Sequence, residues 1–168
     1  MTVKTKQILI DMLTDRGYVI TDNSVDDKVI CKNRDSTLIG LISQVEKLNI
    51  NIIKEYIKLI EQLNIPKCII VYNNCITSSA KKVIDNLQHL DIEVFNENEL
   101  QYNITLHKYV RPHIKIEGDE FDTINSKYGK HLPIILASDP VSRYYNFKKG
   151  DIIKIIRRND IIAYRVVK

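Results

Sequence analysis

No run of residues in this chain approaches the roughly 18 consecutive apolar positions that a membrane-spanning helix needs, so a membrane partner is not expected. Residues 1–6 are polar and lead straight into a helical pattern, which argues against a secretory signal. Cysteine is scarce: Cys31, Cys68 and Cys75 are odd in number, lack a Cys-x-x-Cys spacing, and each lies in or beside an apolar run. They are expected as reduced thiols packed in a core, in an intracellular, reducing compartment. His89, His107, His113 and His131 fit no standard ligand spacing and have no nearby cysteine, so no metal is expected. There is no glycine-rich phosphate loop, nucleophile elbow or Ser/His/Asp arrangement, hence no expected catalytic residue and no expected cofactor. Internal repeats, low-complexity tracts and flexible linkers are also absent.

What the chain has is enough apolar material, 44% of 168 residues, for one compact domain or two small ones. Its net charge of +4 is unevenly spread. Residues 1–105 carry 12 Lys and Arg against 14 Asp and Glu, whereas residues 106–168 carry 13 against 7. The C-terminal third is therefore a basic module, suited to an acidic protein surface or a nucleic acid. The weighting toward Ile, Lys and Asn, with few Gly, Pro and Ala, reads as codon bias from an AT-rich genome.

Hydrophobic periodicity organises the first hundred residues. Val3, Ile8, Leu9, Met12 and Leu13 fall near one face at helical spacing, with Gly17 closing the turn beyond. Residues 18–20 and 29–31 read as strands around a polar turn, and residues 37–43 as a buried strand. Ile52, Ile53, Tyr56, Ile57, Ile60 and Leu63 trace an amphipathic helix that Pro66 prevents from continuing. A strand over 68–72, a helix over 78–90 and a strand over 92–95 follow, so an α/β layer with a crossover connection is expected. After Leu106 the helices become short, and the chain closes on two β runs, 151–157 and 161–167, with Asn159-Asp160 in the tight loop between them. A boundary between residues 1–104 and 105–168 is expected.

The densest information lies between Leu132 and Arg157. Asp139 before Pro140 is a helix start, because its carboxylate can accept first-turn N–H groups and proline is tolerated at the first helical position. Residues 151–158, DIIKIIRR, are too apolar for a strand with one exposed face. The motifs Leu132-Pro133, Asp139-Pro140-Val141, Arg143-Tyr144, Lys149-Gly150, Ile153-Lys154-Ile155-Ile156-Arg157 and Tyr164-Arg165 run in order, preceded by Asn103-Ile104-Thr105 and Pro112-His113. In that order they resemble the C-terminal domain that the fifth common subunit of eukaryotic RNA polymerases shares with its small archaeal counterpart. The resemblance implies a small α+β assembly domain, with a mixed sheet and short helices, that docks on the largest polymerase subunit alongside other polymerase subunits. It marks Pro112, His113, Pro133, Asp139, Pro140, Arg143, Tyr144, Lys149, Gly150, Arg157, Tyr164 and Arg165 as candidate interface residues. Arg143, Arg157 and Arg165 are bidentate donors suited to carboxylates, and Tyr144 and Tyr164 offer rigid contact area, although each could instead serve its own domain. The segments 128–132 and 158–161 are shorter than is usual in the family.

Residues 69–81, with Ile69 to Tyr72 followed by Asn73 to Lys81, resemble the strand and the T-P-S-A turn of the family's N-terminal jaw domain, with Ser78 where proline is common. The resemblance implies a restriction-endonuclease-like α/β jaw, inactive, lying near downstream duplex DNA. Thr77, Ser78 and Ser79 place hydroxyls at a helix start, and Lys81 and Lys82 add charge one turn later, a pattern that attracts phosphate. An ordinary N-cap followed by a solvated lysine pair is the competing reading. A free-standing nucleic-acid-binding protein and a restriction-type nuclease are rivals at the level of function. The nuclease needs clustered carboxylates and a lysine. The chain offers only Asp26-Asp27-Lys28, in a polar turn, and no acid on 37–43. A divergent subunit, encoded by a large DNA virus or another AT-rich genome and acting in a nucleus, viral factory or virion, is the expectation.

Overall fold

The computed structural model describes residues 3–22, 25, 27–87 and 89–168. Its contacts divide the chain into two units, Met1–Tyr102 and Asn103–Lys168.

The first unit begins with α1, Val3–Asp15, which buries Ile8, Leu9, Met12 and Leu13 along one stripe. Val3, expected on that stripe, is 90% exposed, because its side chain precedes the first turn that meets the sheet. Gly17 supplies the left-handed conformation, at φ +81°, that turns the chain into β1, Val19–Asp22. β2, Lys28–Lys32, and β3, Thr37–Ile42, continue the sheet antiparallel. A short β4, Lys47–Leu48, leads to α2, Ile50–Gln62, whose N-cap Asn49 accepts the N–H groups of Asn51 and Ile52. Leu63, expected on the apolar face of α2, is 41% exposed; the buried series stops at Ile60, and Asn64 takes a left-handed φ of +53° just beyond.

β5, Lys67–Tyr72, lies parallel to β3, so α2 is the crossover between them. The chain then forms β6, Cys75–Ile76, and α3, Ser78–Asn86, before β7, Asp91–Asn96, joins β5 in parallel. The five-stranded order is β1-β2-β3-β5-β7, and β4 and β6 form a separate parallel pair. α3 ends earlier than the expected residue 90, since the chain must reverse after it to bring Asp91 into register with Lys67. Both faces of β3 and β5 are covered, which explains their near-continuous apolar sequences. On one face Ile39, Leu41, Cys68 and Ile70 pack with Ile53 and Ile60 of α2 and Ala80 and Ile84 of α3. On the other, a Cβ placed on Gly40 would lie 3.0 Å from Leu9 Cδ2, so α1 sits directly on the strand backbone there.

The second unit holds β8, His113–Lys115, α4, Gly118–Tyr128, β9, Ile134–Ile135, and α5, Pro140–Tyr145. It ends in the hairpin β10, Ile152–Ile156, and β11, Ile162–Val167. The order β8-β10-β11-β9 makes a mixed sheet, antiparallel across the first two pairs and parallel across β11 and β9. Ile153, Ile155 and Val167 form a core with Ile135 and Phe147 on one face. Ile152 packs with Ile116 and Leu132 on the other, where Phe121 and Ile124 of α4 cover it. The apolar β10 sequence therefore serves two faces, as its composition requires. Asn159 and Asp160 adopt φ of +58° and +57° at the hairpin tip, a conformation that short polar side chains tolerate.

Candidate functional site

The turn before α3 is organised by its own hydroxyls. Thr77 Oγ1 accepts the N–H of Ala80 at 3.2 Å and lies 3.2 Å from Ser79 Oγ. The N–H of Thr77 donates to Leu48 O at 3.0 Å, which fastens the turn to β4. Ala80 and Ile84 are buried, so the helix presents its opposite side outward, and Ser78, Ser79, Lys81 and Lys82 lie toward that side. Of these, Ser78, Ser79, Lys81 and Lys82 are exposed, while Thr77 is half-buried. The five candidate residues thus share one turn and a half, with the lysines beside the positive end of the helix. That arrangement can accept a phosphate through first-turn N–H groups and hydroxyls, with ammonium groups adding attraction.

The twelve candidates in the second unit divide into two groups. Pro112, Pro133, Pro140, Lys149, Gly150 and Arg157 are exposed. Gly150 needs its glycine, since it turns into β10 at φ +94° while its N–H donates to Val167 O at 2.9 Å. The other group holds the domain together. Asp139 Oδ1 accepts the N–H of Val141 at 2.9 Å and so caps α5. Tyr144, expected as contact area, is 4% exposed and belongs to the core. Its ring points inward from α5 and meets the edge of the Tyr145 ring at 5.2 Å. Arg165, half-buried, donates from Nη1 to Ile134 O at 3.0 Å and ties β11 to β9. His113 places Nδ1 2.6 Å from Arg111 O, a packing contact. Arg143 is half-buried on α5.

Tyr164 is also engaged inside its unit. Its hydroxyl donates to Glu120 Oε1 at 3.0 Å, and Lys154 Nζ donates to the same oxygen at 2.9 Å. This clamp fixes α4 to the sheet. The hydrogen bond from Lys154, followed by that from Tyr164, lowers the Glu120 carboxyl below its ordinary range. Lys154 is raised in return, chiefly by the Glu120 hydrogen bond, and Tyr164 is raised first by burial and then by Glu120. At β8, Lys115 pairs with Glu117 at 3.1 Å and Asp151 at 3.3 Å, and the Glu117 hydrogen bond raises it most.

The thiols separate by environment. Cys31 and Cys68 are buried, and burial pushes the Cys31 thiol up to about 12 and raises Cys68 as well. Cys75, expected in a core, is exposed, because β6 is only two residues long and pairs on its β4 side alone. Among the described residues no three His, Cys, Asp or Glu side chains converge closely enough to hold a metal. In the triplet considered for a nuclease, Asp27 is exposed and Lys28 half-buried at the start of β2, while Asp26 lies outside the described residues.

Sequence reasoning did not single out the exposed apolar residues of the second unit. Leu106 is 81% exposed, Tyr109 71%, Ile161 60%, Leu136 59%, Ile162 48% and Ile114 47%. Most lie in strand-like runs, where an apolar residue reads as core, and only the tertiary packing reveals that nothing in the unit covers them.

Residues 102–167 match the family model of the RNA polymerase Rpb5 C-terminal domain. The chain is 28% identical over 188 aligned positions to the DNA-directed RNA polymerases I, II, and III subunit rpabc1 of Dictyostelium discoideum, covering 98% of this chain and 95% of that protein. It is 27% identical to the corresponding RPABC1 subunit of Caenorhabditis elegans, covering 98% and 94%. The solved structure of a protein of unknown function, AF1548, is similar at TM-score 0.44 and 11% identity over 76% of this chain and 79% of that one, which carries no functional argument. In the described residues no helix is long and apolar enough to cross a membrane.

Proposed function

We propose that this chain, whose residues 102–167 belong to the RNA polymerase Rpb5 C-terminal domain family, works as a non-catalytic subunit of a multisubunit DNA-directed RNA polymerase. The observation that carries the reading is the extent of the similarity: RPABC1 subunits align along 98% of this chain, not over one domain alone. The second unit docks on the largest subunit, beside other polymerase subunits, and the first unit contributes a jaw toward downstream duplex DNA. Both units carry out positioning, and the chemistry of nucleotide addition belongs to other subunits. The complex acts where its genes are transcribed, in a nucleus or a viral factory.

The geometry supports a division of labour. In the second unit, Asp139, Tyr164, Arg165 and buried Tyr144 hold the domain rigid. That rigidity lets exposed Pro112, Pro133, Lys149 and Arg157 be presented to a partner without ordering cost at the moment of binding. In the first unit, the α3 turn offers hydroxyls, first-turn N–H groups, Lys81 and Lys82 to the DNA backbone, a contact that places the duplex without reading its sequence.

Co-expression with the largest subunit of the same polymerase tests the first half, and a stable stoichiometric complex is expected. Replacing Lys81 and Lys82 with Glu should lower the assembled polymerase's retention on downstream DNA while leaving assembly intact. Failure of the unmodified chain to join the complex would sink the subunit reading. Unchanged DNA retention by the charge-reversed variant removes the jaw contact from it.

A further inference from the structure

α4 covers only part of its face of the second sheet. Phe121 and Ile124 lie over the end formed by Ile116, Ile152 and Val166. Glu120 reaches Lys154 and Tyr164, one row further along. From the β8 side of that row outward, large apolar side chains of this face are exposed. Ile114 pairs with Lys154, and Ile156 pairs with Ile162, so the strand register puts Ile114, Ile156 and Ile162 on the same side as the clamp. The N–H of Ile156 donates to exposed Pro112 O at 3.2 Å, which adds the proline to the same end. Ile114 is 47% exposed, Ile162 48% and the adjoining Ile161 60%. This is a contiguous apolar surface beside β8, an edge strand of its sheet.

Its rim is basic. Arg157 and Arg158 are exposed at the hairpin tip, and among the described residues no carboxylate pairs with either. We infer that this end of the sheet receives an extended segment of another polymerase subunit, one with two or more neighbouring apolar side chains followed by Asp or Glu. The apolar side chains seat on Ile114, Ile156 and Ile162, and the carboxylates meet the arginine forks, a geometry Arg is built for. A nucleic acid fits less well, since isoleucine offers nothing to a phosphate. A second copy of this chain would bring the same basic rims toward each other.

The inference rests on the polymerase-subunit reading, and the test separates the two. The full chain and the largest subunit of its own polymerase are titrated at two salt concentrations. Ile114→Glu with Ile162→Glu, both at exposed positions, should weaken the complex by about 100-fold. Arg157→Glu with Arg158→Glu should weaken it by roughly tenfold and flatten its salt dependence. Hydrogen exchange along β10 shows whether each variant is folded, and protection of residues 112–115 and 160–163 in the unmodified complex reads the same surface without mutation. Binding unchanged by the isoleucine substitutions, with no protection there, overturns the inference and leaves the subunit reading standing. Loss of duplex DNA binding or of self-association in place of subunit binding overturns it equally. No complex with the unmodified chain overturns both.

Discussion

Arg16 and Glu93 join the end of α1 to β7 through a two-pronged contact, Nη1 to Oε1 at 2.7 Å and Nη2 to Oε2 at 2.9 Å. Their side chains are only 5% and 16% exposed, so the pair lies in a poorly hydrated site. Replacing Glu93 with Ala removes the carboxylate that receives both prongs of the guanidinium in this site. Breaking a buried pair in this way costs about 3–5 kcal/mol, and the residual exposure of Glu93 places the expected cost near the lower end. A loss of about 3 kcal/mol lowers the protection of the slowest β5 amides by roughly 100-fold. With a urea dependence of about 2 kcal/mol per molar, the midpoint for the first unit falls by about 1.5 M. Hydrogen exchange read by mass spectrometry is the suitable assay, since it resolves this unit from the other and the chain has no tryptophan to report on either. The double variant Arg16→Met with Glu93→Leu removes both charges and should regain most of the loss, because an apolar replacement of similar volume needs no counter-charge. A cost below about 1 kcal/mol for Glu93→Ala, or a double variant as unstable as the single, would refute the reasoning.

Two further expectations follow from the environments of single groups. Under native conditions a maleimide should add once, at exposed Cys75, while Cys31 and Cys68 remain unmodified until denaturant opens the core; two or three rapid adducts would contradict the burial that raises those thiols. Because the folded Glu120 carboxyl is lowered by Lys154 and Tyr164, its contribution is present above the unfolded glutamate range and is lost as pH falls through its folded value. The thermal midpoint of Glu120→Gln should therefore decline less on acidification than that of the unmodified chain, and parallel declines would show that the clamp contributes nothing.

Much of the first sheet was legible because its strands announce themselves locally. β3 and β5 are unbroken apolar runs, and a parallel strand covered on both faces has no other way to read. α2 was legible through its repeat and Pro66, and the final hairpin through Asn159-Asp160. α4 was not, since it commits only Phe121 and Ile124 to the core and the remainder of its sequence is polar. β8 and β9 are three and two residues long, too short for any periodicity to register. The candidate site shows the same divide. The α3 turn was readable because capping is a local affair of Thr77 and Ala80. The roles of Tyr144 and Tyr164 were not, because whether a tyrosine faces a partner or its own core depends on residues such as Glu120, 44 positions away from Tyr164. The open isoleucine surface was hidden for a related reason: the register of β10 and the length of α4 together decide which end of the sheet stays bare.

The strand order of the second unit also constrains how it is born. Its two outer strands, β8 and β9, are synthesised before the two central ones, and neither pairs with the other. On an emerging chain they have no neighbour to bond with until β10 and β11 leave the ribosome. The first unit faces no such wait, for its last strand, β7, ends at Asn96. A translating ribosome therefore carries one finished unit while the other stays open until its final hairpin arrives, and only then does the exposed isoleucine surface of the second sheet exist.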